Sequence, residues 1–219
     1  MGVQQSELKF LGFVLILNSQ TFIMQTSTSK YNVHVYLESN PNPNSLKFVT
    51  NLMLLPEGES FDFPDADSAQ HAPLAQELFD FEHVKRVFYM GNFVTVTKSE
   101  EVEWLEIQSN IKKHIKKFLE EGKPILVQEA VANGTTIDEN DSETVKKIKG
   151  ILDEYIRPAV EQDGGAISFH SFDEGVVKVL LQGSCSGCPS STVTLKAGIE
   201  NLLKTMLPNE VKEVEAEGV

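Results

Sequence analysis

The chain has 219 residues, 41% of them hydrophobic, which suits one large or two small packed domains and speaks against a disordered or fibrous protein. A formal net charge of -13 argues against a nucleic-acid partner, because phosphate binding depends on a basic surface. The two cysteines, Cys185 and Cys188, stand too close together to staple distant parts of a fold, so a reducing compartment fits best.

The first thirty residues contain an apolar run, Phe10 to Leu17, that is too short to span a bilayer. It lacks the basic flank and small-residue cleavage site of a secretory signal, and no arginine precedes Arg86, as an arginine-rich presequence would require. The opening Met-Gly-Val-Gln-Gln-Ser fits the loose myristoylation pattern and little else supports that reading. Residues 1–30 are expected to be a non-folded extension, with Met24 as a candidate downstream start.

Residues 31–121 read as a small α+β domain. Val33, Val35 and Leu37 alternate as one face of a strand, and Asn40-Pro41-Asn42-Pro43-Asn44 breaks it. Leu46 to Val49 reads as the returning strand. After a loop containing glycine and proline, Pro73 to Phe81 reads as a short helix. Val84–Tyr89 and Phe93–Thr97 flank Met90-Gly91-Asn92 as a hairpin. A helix from about Glu101 to Glu120 places Trp104, Ile107, Ile111, Ile115 and Phe118 on one face. Lys112, Lys113, Lys116 and Lys117 lie mostly off that face and read as a solvated surface.

Residues 122–142 are expected to be an acidic linker, and residues 143–215 a second α+β domain. Asp141 or Ser142 caps a helix whose Val145, Ile148, Ile151, Leu152, Tyr155 and Ile156 keep helical spacing, and Pro158 marks its end or a kink. Asp163-Gly164-Gly165 makes a sharp turn. Two strands follow, Ala166–Phe169 and Val176–Leu181, joined through Asp173-Glu174-Gly175. The cysteine loop comes next, then a helix to about Met206 with Leu195, Ile199, Leu202, Leu203 and Met206 inward, and a last strand over Val211–Val214. The expected order is helix, strand, strand, Cys-x-x-Cys loop, helix.

That spacing lets two sulfurs converge from one tight loop, which suits a cluster, a metal or a reversible disulfide. Gly183 and Gly187 permit close backbone approach, and Pro189 suits the first position of a helix. The positive end of that helix favours thiolate, the form that binds soft metals and iron-sulfur clusters. Clusters commonly take four cysteines and this chain offers two, so a cluster site would need two copies of the chain around a two-fold axis. Thioredoxin-like dithiol chemistry and a zinc site shared by two chains remain as alternatives. The redox alternative expects its motif inside a βαβ pattern, whereas here the motif follows a hairpin. Asp163 with its glycines reads as structural. His170 reads as a surface histidine that stands near enough in sequence to be considered as a ligand, and Ser190, Ser191 and Thr192 read as helix caps.

The strings LDEYIRPAVEQDGGAISF and VVKVLLQGSCSGCPSSTVTLKAGIENLLK resemble the C-terminal domain of the NifU/Nfu family of iron-sulfur cluster scaffold and carrier proteins. ESNPNPNSLKFV resembles the start of the smaller domain that precedes it in Nfu-type members. The resemblance implies Cys185 and Cys188 as ligands of a cluster, commonly 4Fe-4S, shared by two subunits and passed to apo-proteins. It implies a homodimer, upstream cluster-assembly proteins and apo iron-sulfur recipients as partners, no membrane or nucleic acid, and no catalysis in the strict sense. A cytoplasmic location is expected, or a mitochondrial one if the source is eukaryotic.

Overall fold

A computed structural model describes residues 32–127, 141–186 and 189–218. Cys188, Gly187, the expected N-terminal extension and most of the expected linker lie outside the described residues. The first unit begins with β1 (Val35–Ser39), β2 (Ser45–Thr50) and β3 (Ser60–Phe63). It continues through α1 (Pro73–Phe79), the hairpin β4 (Val84–Met90) and β5 (Phe93–Lys98), and α2 (Trp104–Glu120). The strands form one antiparallel sheet in the order β1-β2-β5-β4-β3.

Alternation along these strands divides the sheet into two faces. Leu46, Phe48, Val87, Tyr89, Val94 and Val96 turn toward α1 and α2, where Leu74, Leu78, Ile111, Ile115 and Phe118 complete a buried core. The expected apolar face of α2 is thus in place, with Trp104 and Ile107 packed at its margin. The opposite face presents Lys47, Val49, Phe88, Met90, Phe93 and Thr95, and it is also covered, by the second unit.

That second unit consists of α3 (Glu143–Ile151), α4 (Arg157–Gln162), β6 (Gly165–Asp173), β7 (Val176–Gly183), α5 (Pro189–Met206) and β8 (Glu213–Gly218). Ser142 caps α3 as its sequence suggests, its hydroxyl accepting from the Val145 N–H at 3.2 Å. Between α3 and α4 the residues Leu152–Ile156 form a wider helical turn. It directly precedes Pro158, which supplies no backbone donor and so loosens the hydrogen-bond ladder there; the helix is irregular, as expected, and then resumes to Gln162. Ile148, Leu152, Val160, Ile167, Val177, Val179, Leu181, Ile199 and Leu203 form the core of this unit.

Several expectations are corrected. Residues 60–63, read as loop, form the edge strand β3. β6 extends to Asp173 through an irregularity between Phe169 and Ser171. Met206 is exposed while Leu207, one residue on, is buried, because α5 ends there and the chain turns back toward β8. The last strand begins at Glu213 and pairs parallel with β7, Val177 opposite Val214. The cysteine loop therefore does sit in a β-loop-α-β unit, and the hairpin argument against dithiol chemistry falls away. Among the described residues no helix is long and apolar enough to cross a membrane.

Candidate functional site at the cysteine loop

The loop is built where β6 and β7 are pinned together at their base. Gly165 pairs with Gly183, which brings the Asp163-Gly164-Gly165 turn beside the start of the cysteine loop. Gly164 and Gly183 both take positive φ, +80° and +63°, a conformation other residues resist. A methyl at Gly165 would lie 2.8 Å from Cys185 Sγ and 2.6 Å from the Gln182 carbonyl oxygen. The turn is therefore the wall against which the Cys185 sulfur packs, which gives a physical reason for the glycine pair.

Hydrogen bonds close the base. The Ser184 N–H donates to the Gly164 carbonyl at 3.3 Å, the Ser184 hydroxyl to the Asp163 carbonyl at 2.5 Å, and the Ser186 N–H to the Gly183 carbonyl at 3.2 Å. Thr192, on the second turn's approach in α5, donates its hydroxyl to the Cys185 carbonyl at 3.4 Å and ties the helix back to the loop. Cys185 is 6% exposed and belongs to the core of the second unit. It borders a cavity of about 450 Å³ between Pro41 and Asn42 on one side and α4 and α5 on the other, with Ile156, Val160, Leu195 and Ile199 in its wall.

The first unit reaches into this site, which the sequence did not reveal. Asn42 donates from Nδ2 to the Ser184 carbonyl at 2.9 Å, and Thr95 donates its hydroxyl to the Gly164 carbonyl at 2.8 Å. Lys47 donates from Nζ to the Glu161 and Gln162 carbonyls at 3.3 and 3.2 Å, at the negative end of α4. Lys47 also pairs with Glu38 at 3.3 Å and lies 4.4 Å from the Phe93 ring centre. Phe88 lies directly beneath Gly183, where an added methyl would come within 2.9 Å of its ring. The available signal was the consecutive apolar residues Val87-Phe88-Tyr89-Met90 of β4 and Phe93-Val94 of β5, which imply a part of the hairpin covered on both faces.

Three carboxyls near this contact, Asp62, Glu161 and Asp163, are raised by burial. Burial pushes Asp62 up from 3.8 to about 6, opposed by Arg86, whose guanidinium lies 2.6 Å away. The Gly183 N–H lies near enough to pull in the same direction as Arg86, although among the described residues Asp62 Oδ1 closes no hydrogen bond of ordinary geometry. Asp163 is raised by burial and held back by Lys47. Asp163 lines the cavity, so it is part of the structural turn and also of the site wall. His170 is exposed farther along β6 and does not line the cavity. Of the expected caps, Thr192 is the one whose side chain is described, and its contact is the tie to Cys185.

Sequence comparison extends this picture. A family model described as the scaffold protein Nfu/NifU N terminal matches residues 35–122, and one described as the NifU-like domain matches residues 148–215. A Drosophila persimilis protein named NFU1 iron-sulfur cluster scaffold homolog, mitochondrial, is 43% identical over 192 residues, 88% of this chain and 68% of that one. Its Drosophila grimshawi counterpart of the same name is 45% identical over 181 residues, 83% of this chain and 60% of that one. The chain thus spans roughly two thirds of the length of such relatives, or somewhat less. A solved NifU-like protein from Saccharomyces cerevisiae aligns over 59% of this chain and all of its own, at 21% identity and a TM-score of 0.42, too low to bear on function. The two domain matches and their order define the class, a two-domain scaffold protein. The chain belongs to the Nfu/NifU family of iron-sulfur cluster scaffold proteins.

Proposed function

We propose that this protein receives an iron-sulfur cluster, holds it between two copies through Cys185 and Cys188, and hands it to apo-proteins. The observation that supports this most directly is the seat of Cys185. It lies in a glycine-walled loop that runs into the N-terminus of α5, and both parts of the chain match scaffold-family domains. The cluster is cargo. Transfer is ligand exchange: each recipient thiol gives up its proton and its thiolate replaces one protein thiolate at iron, the displaced protein thiolate takes up a proton in turn, and no net oxidation occurs. With two ligands per chain, separation of the copies dismantles the site, which suits delivery better than retention. A 4Fe-4S cargo is the form that the resemblance favours. Only iron–thiolate bonds to the cargo are exchanged, and the cluster itself passes on unchanged, so the proposed role is that of a carrier. The names of the relatives favour the mitochondrial location over the cytoplasmic one.

A dithiol oxidoreductase is the second reading, kept because the loop lies between two parallel strands and a helix. Anaerobic reconstitution with iron and sulfide, followed by assay of iron, sulfide and zinc, separates the two readings and also tests for a zinc module. The carrier reading expects bound iron and sulfide in near-equal amounts, both lost in Cys185→Ser and in Cys188→Ser. Zinc without sulfide, or cycling of a metal-free dithiol in a monomer, would sink it.

A further inference from the structure

Four side-chain hydrogen bonds from the first unit to the second fall at the base of the cysteine loop or on the elements that support it. Asn42 holds the carbonyl of the residue preceding Cys185. Thr95 holds the carbonyl of Gly164, which in turn accepts the Ser184 N–H, and Gly165 beside it walls the Cys185 sulfur. Lys47 fixes the end of α4 just before the Asp163 turn. In this arrangement Cys185 is 6% exposed and sits in the core of the second unit.

We propose that the N-terminal unit is an intramolecular latch: docked as seen, it holds Gly164 and Ser184 in place around Cys185 and keeps that residue withheld, and its release frees Cys185 for loading. The inference rests on the carrier reading of the same site. The composition of the contact suits a reversible latch. Its buried apolar cluster joins Phe88, Met90 and Phe93 to Ala166 of the second unit, and Phe88 also underlies Gly183. Its polar part includes side-chain donors on backbone carbonyls, which water can replace when the units part. The residues that stay behind, Gly164, Ser184 and the end of α4, then lose their outside anchors, and the loop gains freedom around Cys185.

The test uses the full chain with Cys188→Ser, so that Cys185 is its one thiol, and measures the rate of alkylation by iodoacetamide. The triple change Asn42→Ala, Lys47→Met, Thr95→Val removes the anchors, and Asn42→Ala alone removes one from a loop. Far-ultraviolet circular dichroism confirms that each variant is folded. The latch predicts alkylation faster by about tenfold or more in the triple variant and by a few-fold in Asn42→Ala. An unchanged rate in folded Asn42→Ala and in the triple variant, or in Asn42→Ala alone if the triple does not fold, overturns it. The readout needs no cluster: a chain that never binds iron and sulfide while its alkylation responds retains the latch and loses the carrier reading. The converse pattern does the opposite.

Discussion

Gly165 carries more of the site than its size suggests. Its missing side chain leaves room for the Cys185 sulfur and for the Gln182 carbonyl of the neighbouring strand. The carbonyl belongs to a strand and cannot swing away as a flexible side chain can. Gly165→Ala is therefore expected to cost about 1–3 kcal/mol of stability through overpacking. Gly150 in α3 is the internal contrast, because nothing lies within 4 Å of a methyl placed there. Gly150→Ala should stabilise by about 0.5–1 kcal/mol through helix propensity alone. Urea unfolding midpoints of the two variants check the pair, and similar midpoints would contradict this account of the turn. The glycine pair was legible as a sharp turn in the sequence. Its role as the wall of Cys185 was not, because that contact depends on the β6-β7 register.

At the scale of elements, the first sheet is sandwiched, and Asp62 shows what that does. β3 places its carboxyl beside Arg86 of β4 and near Gly183 of β7, with little access to water. Its pKa, raised from 3.8 to about 6, means that the folded state holds this proton more tightly than the unfolded state does. The resulting stabilisation is complete below about pH 4 and is lost as pH rises through about 6, a change on the order of 3 kcal/mol. Urea unfolding across that window should show stability falling with rising pH, and Asp62→Asn should flatten that fall. An identical slope in the variant would contradict it. Strands and helices with clean periodicity, such as α2 and the β4-β5 hairpin, were legible from sequence. β3 was not, since a four-residue strand between glycine and proline gives no period to read. The parallel pairing of β8 was equally hidden, because a strand's pattern states which face is buried and nothing about its neighbour.

At the scale of the whole molecule, the loop chemistry and the domain contact point to one economy of function. The Cys-x-x-Cys loop, its glycines and its following helix are local features within a few residues, so they could be found by reading along the chain. The contact of Asn42 with Ser184 joins residues 142 apart, and no local pattern announces it. The first unit is, in the structure, the neighbour of the cysteine loop. On the function proposed above, the working unit is two copies, each offering half of the ligands. The most direct measurement is the native mass of the chain loaded anaerobically with iron and sulfide. The account predicts a species of two chains and one cluster that falls to bare monomers when Cys185→Ser is introduced. A cluster carried on a single chain, or a dimer whose metal survives that substitution, would contradict it.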